Sequence, residues 1–196
     1  MILIASDHAG YELKQQLLEY TNLDLLDLGP YNSDSVDYPN YAHMLCGKIT
    51  KSQDIKGILL CGSGIGMSIT ANRYPFVRAA LCHCPEFAEL ARRHNNANVL
   101  VMPARFIDIK TALQSINLFL NTEFEGGRHE RRLKKINVSF YDYIIDNVKT
   151  DYIKHKENEE LIKQQERLRK KNLKNLENNN KRKNNDMWKS KGFSIN

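Results

Sequence analysis

The stretch Gly57-Ile58-Leu59-Leu60-Cys61-Gly62-Ser63-Gly64-Ile65-Gly66 carries the reading of the fold. Residues 57–61 form an uncharged run with the length of a buried strand, and glycine at 62, 64 and 66 marks a turn into the helical segment Ile65–Ala71. Strand, glycine turn and helix make up the first half of a strand–helix–strand unit. The same succession recurs along the chain. Ile2–Ala5 precedes Leu13, Leu17 and Leu18, and Leu23–Leu28 precedes Tyr41, Met44 and Leu45. Val77–Cys82 precedes Phe87–Ala91, and Asn98–Met102 precedes Ile109–Leu120. Such alternation implies right-handed crossovers and predicts an α/β fold with a parallel sheet of five strands covered on both faces.

A length of 196 residues suits one domain plus a tail, and the charge divides in the same way. Residues 151–196 hold 13 Lys+Arg against 7 Asp+Glu, while the 16 basic and 16 acidic residues of 1–150 cancel. A basic partner-binding surface would therefore belong to the tail alone. From about Phe140 the composition turns to Lys, Glu, Gln and Asn. Ile144, Ile145, Val148 and Tyr152 can continue a helical stripe, and Leu161, Leu168, Leu173 and Leu176 make a weaker one. The run Asn178–Asn185 is of low complexity. The expected organisation is a domain over 1–150 and a basic Lys/Asn-rich extension over 151–196, partly helical or disordered.

The opening Met1–Ala5 is apolar but runs at once into Ser6-Asp7-His8, too short for a signal core or a membrane span. It reads as a strand of a cytoplasmic protein with no membrane partner. Cys46, Cys61, Cys82 and Cys84 are then expected as reduced thiols. Cys82-His83-Cys84 has no second Cys/His pair at ligand spacing, so no metal site is expected.

Parallel sheets bind ligands beyond the carboxyl ends of their strands. Asp7-His8-Ala9-Gly10 follows the first strand, Cys61–Gly66 closes the third, and Arg93-His94-Asn95 stands near the start of the fifth; these are expected to gather at one rim. In Gly62–Gly66, backbone N–H groups beside a helix start can hold an anion: a phosphate, or the oxyanion formed when a proton leaves the carbon next to a carbonyl. Close packing of strand on helix also needs glycine, and the spacing is not the dinucleotide pattern. Cys61 at a helix start is expected to have a lowered pKa, as a thiolate base or nucleophile would. His94, in a polar stretch, can give or take a proton or simply be solvated. Arg128 and Arg132, four apart, share one face if the segment is helical, where they could grip a phosphate or merely form a charged face.

Several motifs together resemble the family of type B ribose-5-phosphate isomerases and galactose-6-phosphate isomerase subunits. They are Ser6–Gly10, Asp37-Tyr38-Pro39-Asn40-Tyr41-Ala42, Cys61–Ser68, Arg93–Leu100, Arg105 and Phe124–His129, a match running from Met1 to about Arg132. The resemblance implies a Rossmann-like three-layer α/β/α fold and a homodimer or homotetramer with active sites at the subunit interface. It implies that Cys61 moves a proton between C2 and C1 of a phosphosugar, and that His94 opens the furanose ring. Asp7, His8, Gly62, Ser63, Gly64, Ile65, Gly66, Asn95, Arg105, Arg128 and Arg132 match substrate-binding positions, and the scheme needs no cofactor. Ser63 stands where the family more often has threonine, with the hydroxyl kept. Cys61 marks the cysteine-base branch.

Ribose 5-phosphate and ribulose 5-phosphate are the expected pair. A six-carbon phosphosugar such as allose 6-phosphate or galactose 6-phosphate is the alternative within the fold. From another class, the basic tail could bind nucleic acid while the domain only holds a sugar phosphate. Against that stand the acidic residues mixed into the tail and the absence of interleaved aromatic residues.

Overall fold

The computed structural model describes residues 1–49, 54–136 and 150–174. Its five strands are β1 (Ile2–Ser6), β2 (Leu25–Asp27), β3 (Lys56–Cys61), β4 (Ala79–Leu81) and β5 (Val99–Pro103). All pair in parallel, in the order β2-β1-β3-β5-β4. The helices between and after them are α1 (Tyr11–Tyr20), α2 (Tyr38–Cys46), α3 (Ile65–Ala71), α4 (Pro85–Asn95), α5 (Ile109–Asn121) and α6 (Arg128–Ile136). The α/β fold and the five parallel strands are those expected. The runs at 23–28 and 77–82 supply only three strand residues each, because β2 and β4 lie at the sheet edges with one neighbour apiece.

Alternation along the strands sorts side chains between two cores. Leu3, Ala5, Leu59, Cys61, Val99 and Val101 meet Ala42, Leu45, Met67 and Ala71 of α2 and α3 on one face. Ile4, Ile58, Leu60, Leu100 and Met102 meet Leu13, Leu17, Ala88, Ala112 and Phe119 of α1, α4 and α5 on the other. Both faces of the central strands are therefore apolar, as a covered parallel sheet requires. One more step of the β1 alternation carries Asp7 to the same face as Cys61.

The chain divides into two units, Met1–Asn137 and Val138–Asn196. In the second, residues 150–174 are helical and almost wholly exposed, Tyr152, Leu161, Leu168 and Leu173 included. The stripe expected at Ile144, Ile145 and Val148, the residue Leu176 and the run Asn178–Asn185 lie outside the described residues. Among the described residues no helix is long and apolar enough to cross a membrane.

Candidate active site

Three loops meet at the carboxyl rim of the sheet. Ser6 pairs with Leu60 and Cys61 with Pro103, so the residues just past β1, β3 and β5 come side by side. The ladders continue one step further: Asp7 N–H donates to the Leu60 carbonyl (3.0 Å), and Ala104 N–H to the Cys61 carbonyl (2.9 Å). Arg105 N–H donates to the Gly62 carbonyl (3.2 Å). These bonds frame an open cleft lined by Asp7, His8, Cys61, Gly62, Ser63, Ile65, Gly66 and Arg105, together with Tyr38.

Gly64 caps α3 in the left-handed region (φ 75°), and a side chain there would run into Leu81, so the turn accepts glycine alone. The Tyr38 ring packs against Gly66 where a β-carbon would stand, which brings the start of α2 to the mouth of the cleft. Asp7 is buried and accepts the Gly10 N–H on Oδ1 (2.8 Å). His8 accepts the Val36 N–H on Nδ1 (3.2 Å), so a neutral imidazole carries its proton on Nε2.

Cys61 departs from expectation in one respect. Its position at a helix start predicts a lowered pKa, yet the thiol is pushed above the ordinary thiol range. Burial is the largest cause, and a hydrogen bond to Asp7 adds to it; N–H groups of Gly64 and Ser63 pull the other way and do not win. The thiol is therefore held in its protonated form, next to the Asp7 side chain.

His94 and Asn95 correct the expectation of a single rim. They occupy the last turn of α4, which runs antiparallel to the strands it connects, so its end lies at the amino edge of β5. β5 is five residues long, roughly 16 Å at ~3.3 Å per residue, and separates them from the cleft. There the His94 ring stacks on His129 (centroids 4.3 Å apart, planes within 5°). Glu125 Oε2 lies 3.8 Å from His94 Nε2 and 3.5 Å from His129 Nε2. Arg93 pairs with Glu125, and Arg128 Nε reaches His129 Nε2 (3.3 Å). Arg93 holds the Glu125 carboxyl below the usual carboxylate range; burial first, then His94 and Arg128, keep the His129 imidazole below its ordinary value. Asn95 lines a neighbouring hollow of about 360 Å³ with Arg73, Arg78 and Ile136. Arg128 and Arg132 stand one turn apart in α6, so the segment is helical and both share a face.

His94, Glu125 and His129 offer three donor atoms within 4.8 Å of one another. Parallel stacked rings keep their lone pairs from converging, and Arg93 already neutralises Glu125. The edge suits an anion better than a cation.

Glu125, His129 and Tyr38 lie inside the sequence motifs but carried no assigned part in the site. Lys14 carried no such signal. It is wholly buried, donating to both oxygens of Asp27 (2.7 and 2.9 Å) and to the Pro30 carbonyl (2.6 Å), which anchors the end of β2 where the loop toward Val36 begins. The hint in the sequence was that Lys14 shares the helical stripe of Leu17 and Leu18.

A family model described as Ribose/Galactose Isomerase matches residues 2–136. The chain belongs to the ribose/galactose isomerase family. It is 50% identical over 138 residues to a putative sugar phosphate isomerase of Rickettsia bellii, a match spanning 69% of this chain and 96% of the relative. Among solved structures, a ribose 5-phosphate isomerase of Thermotoga maritima superposes with a TM-score of 0.64 at 52% identity, covering 69% and 96% of the two chains. Ribose-5-phosphate isomerase B of Mycoplasma genitalium, solved with bound ribulose-5-phosphate, superposes at 0.65 with 42% identity, covering 69% and 93%. Family membership thus accounts for everything up to α6, and the helix over 150–174 lies beyond the matched residues.

Proposed function

We propose that the chain interconverts D-ribose 5-phosphate and D-ribulose 5-phosphate, with Cys61 as the group that carries a proton between C2 and C1. The observation that supports this most is the placing of Cys61 in one cleft with Gly62, Ser63, Ile65 and Gly66 of the glycine turn. Once its own proton has passed to a neighbouring group of the cleft, sulfur takes the C2 proton, the loop N–H groups meet the charge that collects on the enediolate oxygens, and sulfur returns a proton to C1. The proton of the C2 hydroxyl passes to the former aldehyde oxygen, completing the ketose.

His94, Asn95, Arg128 and Arg132 cannot serve the cleft of their own chain, since a strand length divides them from it. The site is therefore completed by a second copy. His94 of the partner subunit opens the furanose ring, and its arginines hold the phosphate remote from the reacting carbons, turning binding into orientation. Asp7, His8 and Arg105 of the first copy bind the sugar from the cleft. Residues 1–150 are the catalytic part, and the chemistry calls on no metal or organic cofactor.

The test is turnover of ribose 5-phosphate by EDTA-treated protein, with Cys61→Ala beside it. Activity in the wild type, lost in the variant, is the expected result. Inactivity on the pentose with activity on galactose 6-phosphate or allose 6-phosphate would move the substrate to six carbons, a class the family's own description includes.

A further inference from the structure

We infer that Asp7 is the proton partner of Cys61, so that the hydrogen-transfer unit of the cleft is a thiol–carboxylate pair; this rests on the isomerase reading above. Ser6 and Leu60 are paired in the sheet, and Asp7 and Cys61 are the next residues along. Adjacent strands stand about 4.8 Å apart, and the alternation of β1 and β3 sends both side chains to the α2/α3 face. Both residues are at least nine-tenths buried and both line the cleft. Oδ1 of Asp7 is committed to the Gly10 N–H (2.8 Å), which fixes the carboxylate and leaves it the lone pairs of Oδ2.

The other groups that bear on the sulfur are the N–H groups of Ser63 and Gly64, the Arg105 guanidinium over Gly62, His8 beside Asp7, and the Tyr38 hydroxyl at Gly66. None of these is a carboxylate, so Asp7 is the acceptor at hand for the thiol proton.

The pair starts with its proton on sulfur and the Asp7 carboxylate as the acceptor. In the step, the S–H bond breaks and an O–H bond forms on Asp7. The electron pair left on sulfur takes the C2 proton, leaving the enediolate. Sulfur then gives that proton to C1, and Asp7 returns its own to sulfur as product departs. Nothing is oxidised or reduced, and no proton is drawn from solvent. A thiol held protonated at rest can in this way act as a base at neutral pH.

The experiment follows alkylation of Cys61 by iodoacetamide against pH, read peptide by peptide by mass spectrometry, in full-length wild type and Asp7→Asn. Steady-state kinetics on ribose 5-phosphate are measured on the same preparations. Asparagine keeps the Oδ1 acceptor for Gly10, so the loop is retained. In Asp7→Asn the alkylation midpoint should fall to lower pH, and kcat should drop about 100-fold with KM little changed. In the wild type, kcat/KM should level off at lower pH than alkylation does. An unchanged alkylation midpoint, or a raised KM with kcat kept, would overturn the pairing and leave Asp7 a ligand of the sugar and nothing more. Should the wild type fail on ribose 5-phosphate, the isomerase assignment falls, and the alkylation comparison decides the pairing alone.

Discussion

The two ends of the sheet are built on different principles. At the carboxyl rim, buried Cys61 and Asp7 sit among backbone N–H groups. At the amino edge, Arg93, His94, Glu125 and Arg128 crowd, with much of their surface in water, round the buried His129. The first arrangement suits bond-breaking, the second gripping an anion. One chain thus carries two groups of polar side chains that cannot meet within it, because each is tied to an opposite end of the same strands.

Substitution at either end should be severe. Cys61→Ala and His94→Ala are each expected to lose about 100-fold or more in turnover, the range of a positioned acid or base. For His94→Ala the greater loss should fall on the cyclic aldose and the lesser on the open-chain ketose. Equal losses in both directions, measured away from equilibrium, would leave His94 no special part in ring opening. The two inactive variants together break or sharpen the comparison further. Unfolded as a mixture and refolded, they should form mixed dimers in which one of two sites has both Cys61 and His94 intact. Recovery of about a quarter of wild-type turnover is then expected for twofold-symmetric pairing. A mixture as inactive as its parts would place both residues in one chain's site, against the geometry.

Stability should be tested at the rim's support. Asp27→Ala leaves the buried Lys14 ammonium the Pro30 carbonyl and the faces of Tyr11 and Tyr31 but no counter-charge, and a loss of about 3 kcal/mol in urea unfolding is expected. Lys14→Met, which removes the charge as well as the pair, should cost less. A larger loss for Lys14→Met would mean that the ammonium contributes more through the Pro30 carbonyl than through Asp27.

Much of this was legible beforehand, for identifiable reasons. Alternating apolar runs and glycine turns placed β3, α3 and the cleft residues, since strand and helix periods are local properties of the chain. The position of His94 was not local. A residue near the start of a strand can belong to the helix before it, and the connection's direction then carries it to the far edge, as happened with α4. The pKa of Cys61 escaped as well, because the helix start is visible in sequence while the burial of the thiol, and the pairing of β1 with β3 that brings Asp7 alongside, are not. Lys14 escaped because a lysine within a short amphipathic stripe reads as a solvated neighbour until its partners on β2 and the following loop are known.

The smallest effect expected is at the amino edge. His129 is held below its ordinary pKa, so the unfolded chain binds a proton there before the folded one does. Stability contributed by this residue is present above the unfolded value, near 6.5, and declines as pH falls from there toward the lowered folded value. Glu125 acts in the same direction at more acid pH: its carboxyl is held low by Arg93, and its contribution is lost as protonation overtakes the pair. The melting midpoint should therefore slope gently downward from pH 7 to pH 5, and His129→Gln should flatten that slope without touching alkylation of Cys61. A slope unchanged by His129→Gln would show that His129 is not the group that sets it.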